Sequence, residues 1–181
     1  PTRNEHLERL YEGQFHPEDE LTLVGPDSAR MPASSSARRK PRVFNFGSLN
    51  IDRVYRVPRF VAPGETLGTS SFEIHTGGKG LNQSVALARA GAATTHVGCI
   101  GPDGQALVDF LKTSGVDVTQ VRQLDTATGH AVIQVTPDGE NAILIHGGAN
   151  RQLALDHIID SLESASEGNW VLLQNETNAV A

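Results

Sequence analysis

The sequence predicts an α/β fold with a mainly parallel central sheet and a small antiparallel β lid. Three observations predict it. Short apolar runs of the kind found in strands buried on both faces occur at residues 43–47 and 170–174. Between residues 80 and 162, helical patterns alternate with strand patterns. Two β-rich stretches, 53–75 and 130–146, each contain a turn signal and fit no simple βαβ unit.

Composition is that of a globular domain and excludes several kinds of protein. The chain has 181 residues, 38% hydrophobic content and a formal net charge of −6, so nothing indicates general attraction to nucleic acid. No apolar run is typical of a membrane span or a secretory signal, and we expect no membrane partner. The single cysteine, Cys99, excludes an internal disulfide, and we expect a cytoplasmic protein. The histidines lack zinc-site spacing, so no metal site is predicted.

Residues 1–42 are polar and interrupted by proline, which predicts a disordered N-terminal extension. Order is expected to begin with the strand at 43–47, which is followed by Asn50 and Asp52. Side chains two residues apart point the same way along an extended backbone, so these two could reach one ligand beyond the carboxyl end of the strand. A solvated turn at Asn50 explains the same residues equally well.

The lid is predicted from two hairpin-like segments. Residues 53–60 and 67–75 are rich in Val, Tyr, Thr and Phe, and the Pro-Gly-Glu-Thr turn at 63–66 joins them. The runs at 130–136 and 141–146 flank a Pro-Asp-Gly-Glu turn and predict a second hairpin. Between these segments the β-α-β order of a parallel sheet is predicted, with Asp103 expected to cap a helix rather than to act in catalysis.

A glycine-rich turn at residues 77–80 directly precedes a helix predicted over 80–90. Glycine lets a ligand approach the main chain, and the free N–H groups at a helix N-terminus favour an electron-rich partner. We therefore expect Lys79 and Asn82 to face a ligand. A tight turn that merely packs the helix onto the sheet is the alternative.

The turn matches neither of two familiar glycine motifs. A dinucleotide fingerprint starting at Gly78 would need a glycine at Gln83, and a P-loop would need Ser or Thr where Gly80 stands. The last candidate is Glu176, which follows the strand at 170–174 at the edge where open α/β sheets bind ligands. A carboxylate in that position is also a common helix cap, so its position alone does not decide its role.

Five motifs together resemble the ribokinase-like (PfkB) carbohydrate kinase family, because they occur in that family's order and approximate spacing. They are Gly-Ser-Leu-Asn-Ile-Asp at 47–52, Pro-Gly-Glu-Thr at 63–66, Gly-Gly-Lys-Gly-Leu-Asn-Gln at 77–83, Gly-Gly-Ala-Asn at 147–150, and Glu176. The resemblance covers residues 43–181, which are interpreted as the N-terminal part of a kinase domain with lid segments at 53–75 and 130–146.

The resemblance implies a ribokinase-like three-layer sandwich whose lid covers a sugar, and transfer of phosphate from ATP, with Mg²⁺, to the 5-hydroxyl of ribose. It implies a homodimer formed through the lid. The residues that it assigns to sugar binding are Asn50, Asp52, Gly78, Lys79, Asn82 and Glu176. Another sugar or a nucleoside as substrate, or a non-catalytic sugar-binding or dimerisation module, are the alternatives.

One departure from the family pattern limits what this chain is expected to do. The family's Gly-Ala-Gly-Asp segment, which serves the triphosphate and the attacking hydroxyl, has no counterpart in residues 1–181. No catalytic or cofactor-binding residue is therefore assigned. We interpret the chain as the substrate half of a kinase, truncated by about half, with an exposed sheet edge.

Overall fold

The computed structural model of the protein describes residues 41–178. In chain order the elements are β1 (Arg42–Phe46), β2 (Asn50–Arg56), β3 (Ser71–Gly77), α1 (Lys79–Arg89), β4 (Ala93–Ile100), α2 (Gln105–Thr113), β5 (Asp117–Gln123), β6 (Gly129–Val135), β7 (Asn141–His146), a 3-10 helix (Gly148–Arg151), α3 (Leu155–Leu162) and β8 (Trp170–Leu173). The extension predicted for residues 1–42 lies outside the described residues except for 41 and 42, and Arg42 already belongs to β1.

The body is a parallel sheet in the order β5-β4-β1-β8, with helices on both faces. On one face, α1 and α2 enclose a buried apolar cluster around Leu49, Leu81 and Leu107. On the other face, Phe44 and Phe46 belong to a second cluster, against which α3 packs. Strand residues alternate between the two faces, so both clusters form on the same sheet. The predicted α/β sandwich is confirmed.

The lid is a second sheet in the order β3-β2-β6-β7. The β2–β3 and β6–β7 pairs are antiparallel as predicted, but β2 and β6 pair in parallel, so a wholly antiparallel lid is wrong. The reason lies in the body: β2 follows β1 and β6 follows β5, and these two body strands belong to one parallel sheet. Both lid strands start at the same level, with Asn50 opposite Gly129.

The strand β8 is less buried than its apolar sequence predicts. Trp170 and Val171 are 43% and 52% exposed, and Leu173 is also half exposed. Among the described strands, β8 pairs with β1 alone and forms one edge of the body sheet. The exposed edge was predicted, but burial of the strand on both faces was wrong, because no described element covers its outer side.

Asp103 does not cap α2. The helix has Gly104 at its N-cap without a side-chain capping bond. The Asp103 carboxylate instead accepts hydrogen bonds from the Thr128 backbone N–H at 2.9 Å and from its hydroxyl at 2.6 Å. These bonds hold the pKa of Asp103 below its usual value. The residue fastens the loop that leads into β6, which local sequence cannot indicate because 25 positions separate the two residues.

Gly47 and Gly80 allow the end of β1 and the N-terminus of α1 to touch. A Cβ atom at Gly80 would overlap the backbone of Gly47 and Ser48. The packing alternative for the glycine turn is therefore correct for Gly80. It does not compete with a role in ligand binding, because Gly78 and Lys79 precede this contact.

Among the helices that the structure describes, none has the length and apolarity needed to cross a bilayer.

Replacing Gly80 with alanine is expected to lower the free energy of unfolding by about 2 kcal/mol, since a forced contact between backbones cannot be relieved by a rotamer change. Urea denaturation measures the loss. Gly68→Ala is the matched control, because a Cβ there meets no atom within 4 Å. Equal denaturation midpoints for the two variants would contradict the close-packing argument.

Candidate functional site

Three segments meet where the body sheet joins the lid. The first joins β1 to β2 and contains Ser48, the second is the glycine turn before α1, and the third follows β8 and contains Glu176. The Ser48 hydroxyl donates to Glu176 Oε2 at 2.7 Å, and Lys79 Nζ lies 2.5 Å from Glu176 Oε1. This edge is where the carboxyl ends of parallel strands leave a crevice for a ligand.

Asn50 and Asp52 lie in β2 and not in a turn, so the turn alternative is wrong. Asn50 is buried, and its Oδ1 accepts a hydrogen bond from Asn150 Nδ2 at 2.8 Å. Asn150 also bonds both the N–H and the carbonyl of Leu49, at 2.9 and 3.1 Å. Asn150 is thus a positioning residue for Asn50. The sequence indicated it only as part of the motif at 147–150.

Asp52 occupies a partly desolvated position on the face of β2 that it shares with Asn50. Burial raises the pKa of its carboxyl group, and the nearby Glu176 acts in the same direction, whereas His75 and Lys79 act against it. A Cβ atom at Gly77 would overlap the Asp52 carboxylate. The lack of a side chain at Gly77 therefore leaves room for this carboxylate at the glycine turn.

Gly78, Lys79 and Glu176 form the opposite side of the site. Gly78 has a φ of 101°, and a Cβ there would lie 2.6 Å from the Ser48 carbonyl oxygen, so only glycine fits without strain. Burial raises the pKa of Glu176, but hydrogen bonds from Lys79 and Ser48 outweigh it and the net shift is downward. Glu176 is therefore held as a carboxylate, paired with the lysine.

Asn82 lies in the first turn of α1, where its backbone N–H donates to the Gly78 carbonyl at 3.0 Å and its side chain is exposed. The structure thus brings five predicted residues to one edge of the sheet and places the sixth, Asn82, one helical turn away. Their role in binding a sugar stays a prediction.

A buried polar network lies beneath the glycine turn, and the sequence patterns did not predict it. Asn45 Nδ2 donates to the Gly80 carbonyl and to Ser84 Oγ, both at 2.8 Å, and Ser84 Oγ lies 2.8 Å from His96 Nδ1. Burial lowers the pKa of His96 to about 4, although the Gly47 backbone opposes this shift. The alternation of β1 gave one signal, since Asn45 stands between two phenylalanines that face the other side.

The arrangement fits a small neutral polyol better than a polyphosphate. Carboxylates accept from hydroxyl groups, and a lysine and backbone N–H groups donate to them, so each hydroxyl can be paired. A triphosphate would meet the carboxylates of Asp52 and Glu176, and Lys79 is already paired. Within residues 41–178, no group of three or more His, Cys, Asp or Glu is placed to hold a metal ion. We assign no described residue to ATP or Mg²⁺.

Comparison with known proteins gives a consistent result. The model of the pfkB family carbohydrate kinases matches residues 40–175. The chain is 39% identical over 134 residues to ribokinase from Haemophilus influenzae, and the match covers 72% of this chain and 44% of that protein.

Two solved structures are similar in sequence and in fold. Ribokinase from Cryptococcus neoformans in complex with ADP is 37% identical with a TM-score of 0.67, over 77% of this chain and 42% of that one. Arabidopsis thaliana ribokinase complexed with ribose and ATP is 33% identical with a TM-score of 0.64, over 76% and 46%. The chain spans less than half the length of the relatives it matches.

Proposed function

The chain belongs to the pfkB family of carbohydrate kinases, and from this we propose that it supplies the sugar-binding half of an ATP-dependent kinase that phosphorylates ribose at its 5-hydroxyl. One observation carries the proposal: polar groups from β2, the glycine turn and the segment after β8 converge at one edge of the sheet. The similarity to a ribokinase structure with bound ribose supports the choice of sugar.

Different residues of the site supply the acceptors and the donors that a polyol needs. Asp52 accepts from hydroxyl groups, and the Asn50 amide, itself held by Asn150, can donate. Lys79 donates from the other side and is oriented by Glu176. A buried site must match each hydroxyl with a partner, because an unpaired buried group costs about 1–3 kcal/mol. The lid sheet, which carries Asn50 and Asp52, closes over the sugar and excludes water from it.

Isothermal titration calorimetry of the 181-residue chain with ribose tests the proposal. We expect saturable binding of ribose with one site per chain. The same titration with 2-deoxyribose, fructose and adenosine tests the alternatives of another sugar or a nucleoside. Tighter binding of one of these would replace ribose as the substrate, and heat of dilution alone for every compound would refute a sugar-binding half.

The 181-residue chain is expected to show no kinase activity by itself, because the described residues offer neither a triphosphate cradle nor a base for the attacking hydroxyl. Loss of a general base lowers the rate by about 10²–10⁴. The charged groups that would stabilise the transition state of phosphoryl transfer are missing from the described residues as well. A coupled assay of ADP release with ribose, ATP and Mg²⁺ measures this. ATP-dependent turnover above a no-enzyme blank would show that the chemistry lies within this chain.

The kinase is proposed to be a cytoplasmic homodimer joined through the lid. Phe72, Ile74 and Leu144 are 47%, 59% and 68% exposed on the lid strands, and a dimer interface would cover such side chains. Light scattering at tens of micromolar is expected to give twice the chain mass. Phe72→Ser should shift that mass toward the monomer. A monomeric parent chain at this concentration would contradict the lid interface.

A further inference from the structure

His75 stands directly opposite Asp52 in the antiparallel pair of β2 and β3. Residues that face each other in such a pair lie on the same side of the sheet, with Cβ atoms about 4.5–5.5 Å apart. His75 therefore shares with Asp52 the side of the lid on which the site lies. Its charge is one of the influences that lower the pKa of Asp52. None of the five sequence motifs includes this residue.

Glu73 orients the His75 side chain. Its Oε2 lies 3.0 Å from His75 Nε2, and the two residues are two positions apart on β3, on the same face. Because the Glu73 carboxylate accepts, Nε2 carries the hydrogen of this contact and Nδ1 is the ring nitrogen left to meet a ligand. The contact with Glu73 thus fixes the orientation of the His75 ring.

Between His75 and the glycine turn, the space beside β3 is occupied by the Asp52 carboxylate. The next residue on that face of β3 is Gly77, which has no side chain and lies opposite Asn50. β3 is the outer strand of the lid, and the His75 side chain is 53% exposed. A small molecule bound at Asp52 can therefore reach His75 without displacing another side chain of β3.

The side chains around Asp52 on the lid side are acceptors, so a bound hydroxyl there lacks a hydrogen-bond donor. Asp52 and Glu176 are carboxylates, and Glu73 is a third on the lid face. Lys79 is held by Glu176 on the body side of the site. A hydroxyl on the lid side of a bound sugar thus meets two acceptors, Asp52 and Glu73, and its own oxygen lone pairs need a donor. The imidazolium form of His75 supplies one from Nδ1–H, while its Nε2–H stays on Glu73.

We propose that His75 is a specificity-determining residue of the sugar site, which donates a hydrogen bond to the sugar hydroxyl adjacent to the one that Asp52 accepts from. The inference rests on the proposed function, because it assumes that the ligand is a polyol at Asp52. It adds a residue from the outer lid strand to the site. It also predicts that Asp52 and His75 bind two neighbouring hydroxyl groups of the same sugar.

The test is a thermodynamic cycle between protein and sugar groups. Calorimetry measures the Kd of ribose and of its 1-, 2- and 3-deoxy analogues for the unaltered chain, His75→Ala and His75→Gln. Ribose affinity is expected to fall about three- to tenfold in His75→Ala and to recover in part in His75→Gln, which keeps a donor. For one deoxy analogue, loss of the hydroxyl should weaken binding to the unaltered chain but not weaken binding to His75→Ala further.

His146→Ala is the matched control, because His146 pairs with His130 on the opposite face of the same sheet. It should bind ribose as the unaltered chain does. If His75→Ala matches the parent within about twofold, or if every deoxy analogue loses the same factor in both proteins, His75 is a surface pair with Glu73 only and the inference fails. The proposed function survives that result when Asp52→Ala still loses binding. A parent chain that binds no sugar overturns both.

Discussion

Replacing Asp52 with alanine is expected to weaken ribose binding about ten- to hundredfold without lowering the free energy of unfolding. A hydrogen bond between a charged group and a hydroxyl contributes about 1.5–3 kcal/mol, which sets the expected loss of affinity. The free energy of unfolding is expected to change in the opposite direction. Burial raises the pKa of Asp52 in the folded chain, so at neutral pH the ionised carboxylate favours the unfolded state, and its removal relieves that cost.

Calorimetry with ribose and urea denaturation, both at about pH 7, measure the two effects on the same preparations. Asp52→Asn is a second variant of nearly the same shape, which separates loss of the charge from loss of volume. Asp125→Ala serves as the control, since Asp125 is an exposed carboxylate in the loop between β5 and β6. Equal ribose affinity for Asp52→Ala and the control would remove Asp52 from the site.

The free energy of unfolding is expected to fall by about 3 kcal/mol between pH 6.5 and pH 4 through His96 alone. Burial lowers the pKa of His96 from 6.5 to about 4. An unfolded histidine therefore gains its proton near pH 6.5, whereas the folded one resists it until about pH 4. Each pKa unit corresponds to about 1.4 kcal/mol, so the contribution is complete above pH 6.5 and is lost as the pH falls through this window.

The buried network accommodates a neutral imidazole at His96. Ser84 Oγ accepts from Asn45 Nδ2 and can donate its single hydrogen to His96 Nδ1. A proton on Nδ1 would reverse this bond, and the Ser84 hydrogen would then need another acceptor. Among the described residues, Asn45 Oδ1 and His96 Nε2 have no hydrogen-bond partner, and complete burial of the ring disfavours its charged form.

Urea denaturation at half-unit steps from about pH 7 to pH 4 measures the slope in the parent chain and in His96→Phe. Carboxylates such as Glu176 and Asp103 titrate in both proteins, so the difference between the two curves isolates His96. The variant is expected to lose about 3 kcal/mol less than the parent over the window. Parallel curves would mean that His96 exchanges its proton as readily folded as unfolded, and that the network does not hold it neutral.

Residues close together in sequence were predictable by local rules. The period of two along an extended chain predicted that Asn50 and Asp52 share one face, and the turn chemistry of residues 137–140 located the hairpin of β6 and β7. The five motifs, the glycine turn among them, placed the chain in its family, and the family model matches residues 40–175. These features depend on short-range sterics, which the sequence carries directly.

Contacts between distant residues were decided only by the tertiary structure. Lys79 and Glu176 are 97 positions apart, and Asn50 and Asn150 are 100 apart. The parallel pairing of β2 with β6 likewise depends on the direction in which two body strands point. Local patterns indicate which residues can bind or pair. Which residue each one contacts, and at what distance, follows from chain topology. The raised pKa of Asp52 belongs to this second group, because burial and the charge of Glu176 raise it against the opposing charges of His75 and Lys79.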